Sequence, residues 1–418
     1  MALDPVQHGA RFYTMPRPMP PDTRAKVAVW AGIPLLFLLS AAILISCMGG
    51  TRARTHDPAP GPGRQGPLMR VHLSGGGKEQ RIRIPSPWTA KDFSGRILAQ
   101  GSSLEGPVVR DGEGFRIGVQ HLHAERLRLS AAAGAVEVNG VPYVGELVLQ
   151  RSSIGAPQIL NLVPLERYLA GLLGCEVPLD WPEETLKAQI VAARTYALVR
   201  REQSASEPYD LTDGTQDQCY QGLLKERPLS RRLAEETAGT VATYGRKPFI
   251  TFYSAVCGGH TAQGPNALRE KSPWIAPLLG RPCPYCEKGL PPEKQGRYRW
   301  ERSLPRTELE KALKIPGTLQ SVEPLFPDGG GHSGLVRLSW SPAGSREVLM
   351  TDFRAAAGIS SNTWTASVAS DAVRFTGRGF GHGTGLCQCG AKRMGEEGFD
   401  HREILRFYYP GSELVRLY

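Results

Sequence analysis

The sequence predicts an α+β protein with mixed β-sheets and one helical pair at its centre. Three observations predict it. Residues 68–150 fall into short alternating runs separated by glycine-rich turns, residues 161–201 carry helical periodicity, and Gly and Pro recur throughout the 418-residue chain (48 and 34). Alternation of apolar and polar residues suits strands with one buried face, whereas apolar spacings of three and four suit a helix.

Residues 1–47 read as an export or anchoring segment. Arg24 and Lys26 precede the uncharged apolar run 27–46, long enough for a membrane span and equally suited to a signal peptide. Leu44-Ile45-Ser46-Cys47 resembles a bacterial lipobox, with Cys47 as the lipidated residue. Either reading puts the body outside the cytoplasm, attached to a membrane. Residues 48–67 lack core-forming side chains and read as a flexible linker.

Residues 68–150 form a β-rich supporting region, with runs such as Met69–Leu73, Gln80–Ile84, Leu127–Leu129, Val136–Val138 and Glu146–Leu149. From 151 to 418 the chain reads as the functional domain. Leu165, Leu169, Leu172 and Leu173 cover one face of a first helix. Pro182, Glu183 and Glu184 open a second, since proline at the first helical position gives up no internal bond and carboxylates meet the positive dipole end. Lys187, Arg194 and Arg201 recur at seven-residue intervals on that second helix. Between the two stands Glu176, with Pro178, Trp181 and Pro182 after it. A carboxyl held against apolar surface keeps its proton to higher pH and serves as a general acid.

Downstream, residues 229–239 suit a helix, and 240–254 a hairpin turning at Gly245-Arg246. Cys257-Gly-Gly-His260 and Cys283-Pro-Tyr-Cys286 have spacing suited to a structural zinc held by Cys257, His260, Cys283 and Cys286, and an oxidising compartment equally allows a disulfide. Residues 296–375 read as further strands with short helices near 306–313 and 350–358. Gly379, Gly381, Gly383 and Gly385 alternate around His382, a pattern that permits positive φ or close backbone approach. It lacks the Gly-Lys-Ser/Thr ending of a phosphate loop.

The net charge is +10, of which +4 lies in the first 67 residues. The mild excess on the body suits polyanionic wall polymers or a membrane surface. No basic stripe interleaved with aromatics is present, so nucleic acid is not an expected partner.

The run from Leu165-Glu166 through Glu176-Val177-Pro178 to Ala192-Ala193-Arg194-Thr195-Tyr196-Ala197 resembles the core of the SpoIID/LytB family of bacterial cell-wall proteins. The segments Arg378–Ala391 and Phe407-Tyr-Tyr-Pro-Gly411 resemble the same family's C-terminal signature. The resemblance implies lytic transglycosylase action on peptidoglycan glycan strands, with Glu176 as the one catalytic acid and base. It implies Lys187 and Arg194 as basic groups near the sugar, and Gln189, Tyr196, His382 and Gln388 as substrate-positioning residues. Ser254 stands where sporulation members often carry histidine. The alternative within the family is a wall-binding modulator that stimulates a partner amidase. From a different class, a cysteine hydrolase would pair Cys257 or Cys387 with His382.

Overall fold

Strand Pro157–Pro164 runs directly into helix α1 (Leu165–Glu176), and a short connection leads to the long helix α2 (Glu183–Gln203). Around this pair the computed structural model describes residues 66–75, 79–152 and 155–418. The expected anchor at 27–46, the lipidation site Cys47 and nearly all of the linker fall outside the described residues. Among the described residues no helix is long and apolar enough to cross a membrane.

The architecture is α+β. A seven-stranded sheet has the order 211–212, 68–72, 157–164, 146–151, 126–131, 88–91, 97–101, and a six-stranded sheet is built from strands between 81 and 144. The boundary expected at residue 150 falls inside the hairpin that pairs Glu146–Arg151 with Pro157–Pro164. One hydrophobic core runs from Met69 to Tyr409, so the β-rich region and the helical pair are folded around shared apolar residues. Their shared sheet leads the chain into α1, which fixes where that helix begins.

The Ala-rich helix α2 is buried on nearly every side, including Ala188, Ile190, Ala192, Ala193 and Ala197. Its buried polar side chains, Thr185, Gln189, Arg194 and Thr195, lie among these apolar ones. Packed on it are the helices Pro228–Glu236, Gln388–Glu396 and His401–Tyr408. Thr185 donates to the Ala391 carbonyl at 3.0 Å and fastens the second of these to α2.

The expected hairpin over 240–254 is only partly formed. Thr240–Tyr244 pairs with Lys247–Pro248 across Gly245-Arg246, but Tyr253 and Ser254 pair in parallel with Leu386 and Cys387. Residues 299–378 form a lobe with its own apolar core, including Trp300, Leu338, Phe353, Trp364 and Phe375. The helices expected near 306–313 and 350–358 are there as Arg306–Ala312 and Met350–Ala357.

Candidate active site around Glu176

Glu176, expected in the connection between the two helices, is instead the last residue of α1, in its final turn. Its side chain is held by three neutral donors from three distant parts of the chain. The Cys219 N–H donates to Oε1 at 2.7 Å, the Tyr253 hydroxyl donates to the same oxygen at 3.1 Å, and the Gln388 side chain supplies the third bond. Burial pushes the carboxyl's pKa up, against the opposing pull of these hydrogen bonds. No cation is among the groups that act on it.

The direction of each bond follows from its neighbours. Gln218 Nε2 donates to the Ala193 carbonyl at 3.2 Å, which can only accept, so this atom is the amide nitrogen. The same nitrogen donates to the Tyr253 hydroxyl at 3.0 Å, and Gln218 Oε1 accepts from Tyr168 at 3.0 Å. Tyr253 Oη therefore has its own hydrogen to give to Glu176. With Oε1 accepting from both Cys219 and Tyr253, Oε2 is the oxygen that carries the proton whenever the carboxyl is protonated.

Four consecutive residues organise this arrangement. Asp217 accepts from Tyr196, Arg200 and the Thr212 N–H and hydroxyl. Gln218 links Tyr168 to Tyr253, Cys219 forms a disulfide with Cys175, and the Tyr220 hydroxyl donates to Asn161 at 2.8 Å. The disulfide joins the neighbour of Glu176 to the residue whose amide meets it.

Gln388 is buried, and its Nε2 lies 3.4 Å from Gln189 Oε1 on α2, so both glutamines do reach the carboxyl's surroundings. Gln189 Nε2 is buried with no partner of its own. Tyr196 serves Asp217 and so acts through the 217–220 segment.

Two expected substrate-binding residues are elsewhere. Arg194 is fully buried and forked onto Glu166 at 2.9 and 2.6 Å, with further bonds to Thr240 O, Ala234 O and Thr237 Oγ1. Every direction of its guanidinium is used inside the core. Lys187 pairs with Glu184 at 3.2 Å and Glu236 at 3.1 Å, on the side of α2 facing the helix Pro228–Glu236.

The four glycines around His382 all have positive φ, between 73° and 102°. At Gly385 a Cβ would lie 1.9 Å from the Phe252 carbonyl oxygen, so a side chain would force the two segments apart. The Thr384 N–H donates to His382 Nδ1 at 3.1 Å, which leaves the imidazole proton on Nε2, and a hydrogen bond to the Tyr253 backbone occupies the ring as well. Burial, with Arg354 nearby, holds the His382 pKa down to about 4, so the ring is neutral at physiological pH. It braces the backbone of the residue that touches Glu176. Among the described residues no hydrogen bond joins it to Cys257 or Cys387, so the cysteine-hydrolase pairing is not formed.

The cysteines gather differently from the spacing argument. Cys257, Cys283, Cys286 and Cys387 are buried with all four Sγ atoms within 4.8 Å of one another. His260 is outside this group, its Nδ1 against the Thr261 carbonyl at 2.7 Å. Gly258 and Gly259, with φ of 73° and 100°, turn the chain between Cys257 and His260.

A surface pocket of about 440 Å³ lies between the end of α2, the 244–250 turn and residues 271–275, and contains none of these side chains.

Compared with known proteins, residues 154–244 match the family model described as Stage II sporulation protein. The chain is 28% identical over 358 residues to an uncharacterized protein of Brachyspira hyodysenteriae, covering 83% of this chain and 93% of that one. It is 26% identical over 284 residues to Stage II sporulation protein D of Bacillus subtilis, covering 62% of this chain and 76% of the relative. It is also 24% identical over 290 residues to the amidase enhancer of Bacillus subtilis, covering 59% of this chain and 40% of that protein.

Proposed function

We infer, for a chain that belongs to the SpoIID/LytB family through residues 154–244, a role at the cell wall, and within it cleavage of peptidoglycan glycan strands by a lytic transglycosylase reaction. The observation that carries this reading is the Glu176 carboxyl, sheltered, free of any cationic partner and held by neutral donors, with burial raising its pKa.

In the reaction, the proton on Glu176 Oε2 passes to the glycosidic oxygen between N-acetylmuramic acid and N-acetylglucosamine as the bond from C1 breaks. The carboxylate left behind takes the proton of the muramic acid's own 6-hydroxyl, and that oxygen closes on C1 to form a 1,6-anhydro ring. No water is consumed and the carboxyl regains its proton. One acid therefore performs both steps, where hydrolytic glycosidases need two. Tyr253 and Cys219 steady the carboxylate between the steps, because their bonds to Oε1 favour the charged form. Gln189, whose buried Nε2 has no partner, and Gln388 would be the polar groups that meet the sugar. Action lies outside the cytoplasm, in keeping with the Cys175–Cys219 disulfide, and residues 27–47 supply attachment to the membrane as a lipidated Cys47 or an apolar span.

Purified protein incubated with peptide-free glycan strands should yield anhydro-muramic ends by mass spectrometry, and Glu176→Gln should yield none. Intact strands with the wild type would overturn the reaction. The similarity to an amidase enhancer favours a second reading, stimulation of a partner amidase, in which Glu176→Gln would retain the stimulation.

A further inference from the structure

The Cys257, Cys283, Cys286 and Cys387 thiols come from three separate stretches of chain and converge in the core. We propose that they bind one structural zinc ion as a four-thiolate site, with Cys387 in the place that spacing alone gives to His260.

The geometry fits the ion. Tetrahedral zinc with bonds of about 2.3 Å sets its sulfurs about 3.8 Å apart, and all four Sγ atoms here lie within 4.8 Å of one another. Cys257 and Cys286 are 3.6 Å apart, beyond bonding distance, and all four cysteines are free. Two polar groups able to donate reach the sulfurs. The Cys257 N–H donates to Cys387 Sγ at 3.3 Å, and the Tyr408 hydroxyl lies 3.3 Å from Cys283 Sγ. Donors aimed at ligand sulfurs are the outer support that metal-bound cysteines take. Gly390 leaves room for this packing, since a Cβ there would lie 2.9 Å from Cys283 Sγ and 2.0 Å from Tyr408 Oη. Soft sulfur donors in a closed tetrahedral set select zinc or iron, and zinc, having no redox chemistry, is the one that persists in an oxidising compartment.

The site is wired to Glu176 through the chain. Cys257 lies four residues beyond Tyr253, and Cys387 immediately precedes Gln388. Their segments form the parallel pair Tyr253↔Leu386 and Ser254↔Cys387. A metal tying Cys257 to Cys387 thus clamps together the two segments that deliver Tyr253 and Gln388 to the carboxyl. This consequence rests on the proposed role of Glu176, whereas the metal content is read without any glycan assay.

The test is elemental analysis of the full chain, purified without metal-affinity resin, with Cys387→Ser, His260→Ala and Cys389→Ser alongside. Cys389 is also buried and free but outside the cluster, so it controls for loss of packing. The expected result is one zinc per chain in the wild type, His260→Ala and Cys389→Ser, and its loss in Cys387→Ser. Metal-free protein, iron in place of zinc, or loss in His260→Ala but not in Cys387→Ser would overturn the proposal. Should Cys387→Ser fail to fold, X-ray absorption of the wild type decides alone. A shell of four sulfurs at about 2.3 Å supports the site, and a shell containing nitrogen refutes it.

Discussion

Helix α1 carries two sheltered glutamates, one at each end, and the chain treats them in opposite ways. Glu166, in the first turn, meets the Arg194 guanidinium in a two-pronged pair and also accepts from the Tyr418 hydroxyl at 2.6 Å. Glu176, in the last turn, meets only neutral donors. The helix dipole sharpens the contrast, because its N-terminal end favours a negative charge and its C-terminal end opposes one. Two identical side chains on one element thus take opposite places, one as half of a buried ion pair and the other as a carboxyl whose pKa burial raises. What separates them is whether a cation was brought along.

Removing the transferable proton should have the largest effect. Glu176→Gln is expected to lower glycan cleavage by roughly 10²–10⁴-fold, the usual contribution of a positioned acid or base. It should also melt higher than the wild type at neutral pH. A raised pKa means that the folded state favours the protonated carboxyl, a contribution lost as pH rises through the folded value, and glutamine escapes that loss. The melting advantage should vanish in acid. Equal melting temperatures at neutral pH would mean that the carboxyl is not sheltered.

Arg194→Ala turns Glu166 into a second carboxyl without a cation. Breaking a buried pair from one side costs about 3–5 kcal/mol, to be read from urea unfolding of the variant. A smaller loss would show that Glu166 finds another partner.

Opening the Cys175–Cys219 bridge tests the other end of the helix. Its sequence separation of 44 corresponds to about 4 kcal/mol in the chain-entropy account, and measured values often fall below that. Reduced protein should unfold at lower urea and lose cleavage while still folded, since the Cys219 amide is no longer fixed at Glu176. Full activity of the reduced, folded protein would separate the bridge from the site.

Tyr253→Phe deletes one of the bonds that pull the Glu176 pKa down. The falling limb of activity, where the acid loses its proton, should move to higher pH, while the unfolding midpoint changes little. Lys187→Ala should matter least. Its partners Glu184 and Glu236 are partly exposed, so the loss should be at most about 1 kcal/mol with cleavage unchanged.

The helical pair was legible in the sequence because periodicity and first-turn chemistry act locally. The glycine alternation was legible for the same reason, since positive φ is a property of single residues. Glu176 stood out through its motif, although its place in the last turn of α1 did not. The basic spacing of Lys187, Arg194 and Arg201 misled because a seven-residue period defines a face but not what covers it. On α2 the three meet an acidic pair, the core and the Leu68 carbonyl respectively. Asp217–Tyr220 was opaque because its key donor is a backbone amide lying 43 residues from its acceptor. Cys387 was opaque as a companion of Cys257 because 130 residues separate them, while His260 sat within the short spacing that a motif records.

The lobe over 299–378 leaves and returns by strands paired from Arg299↔Arg378 to Pro305↔Ala372. An excursion of that length therefore begins and ends about 5 Å apart, the distance between neighbouring strands. The lobe also reaches back to the body, since Asp328 accepts from the Gln263 N–H at 2.6 Å, Asn362 donates to the Ala267 carbonyl at 3.2 Å and the Ser360 carbonyl accepts from Gly381 at 2.9 Å, so any change to its content has to keep these contacts as well as the strand pair that returns the chain in register at Gly379.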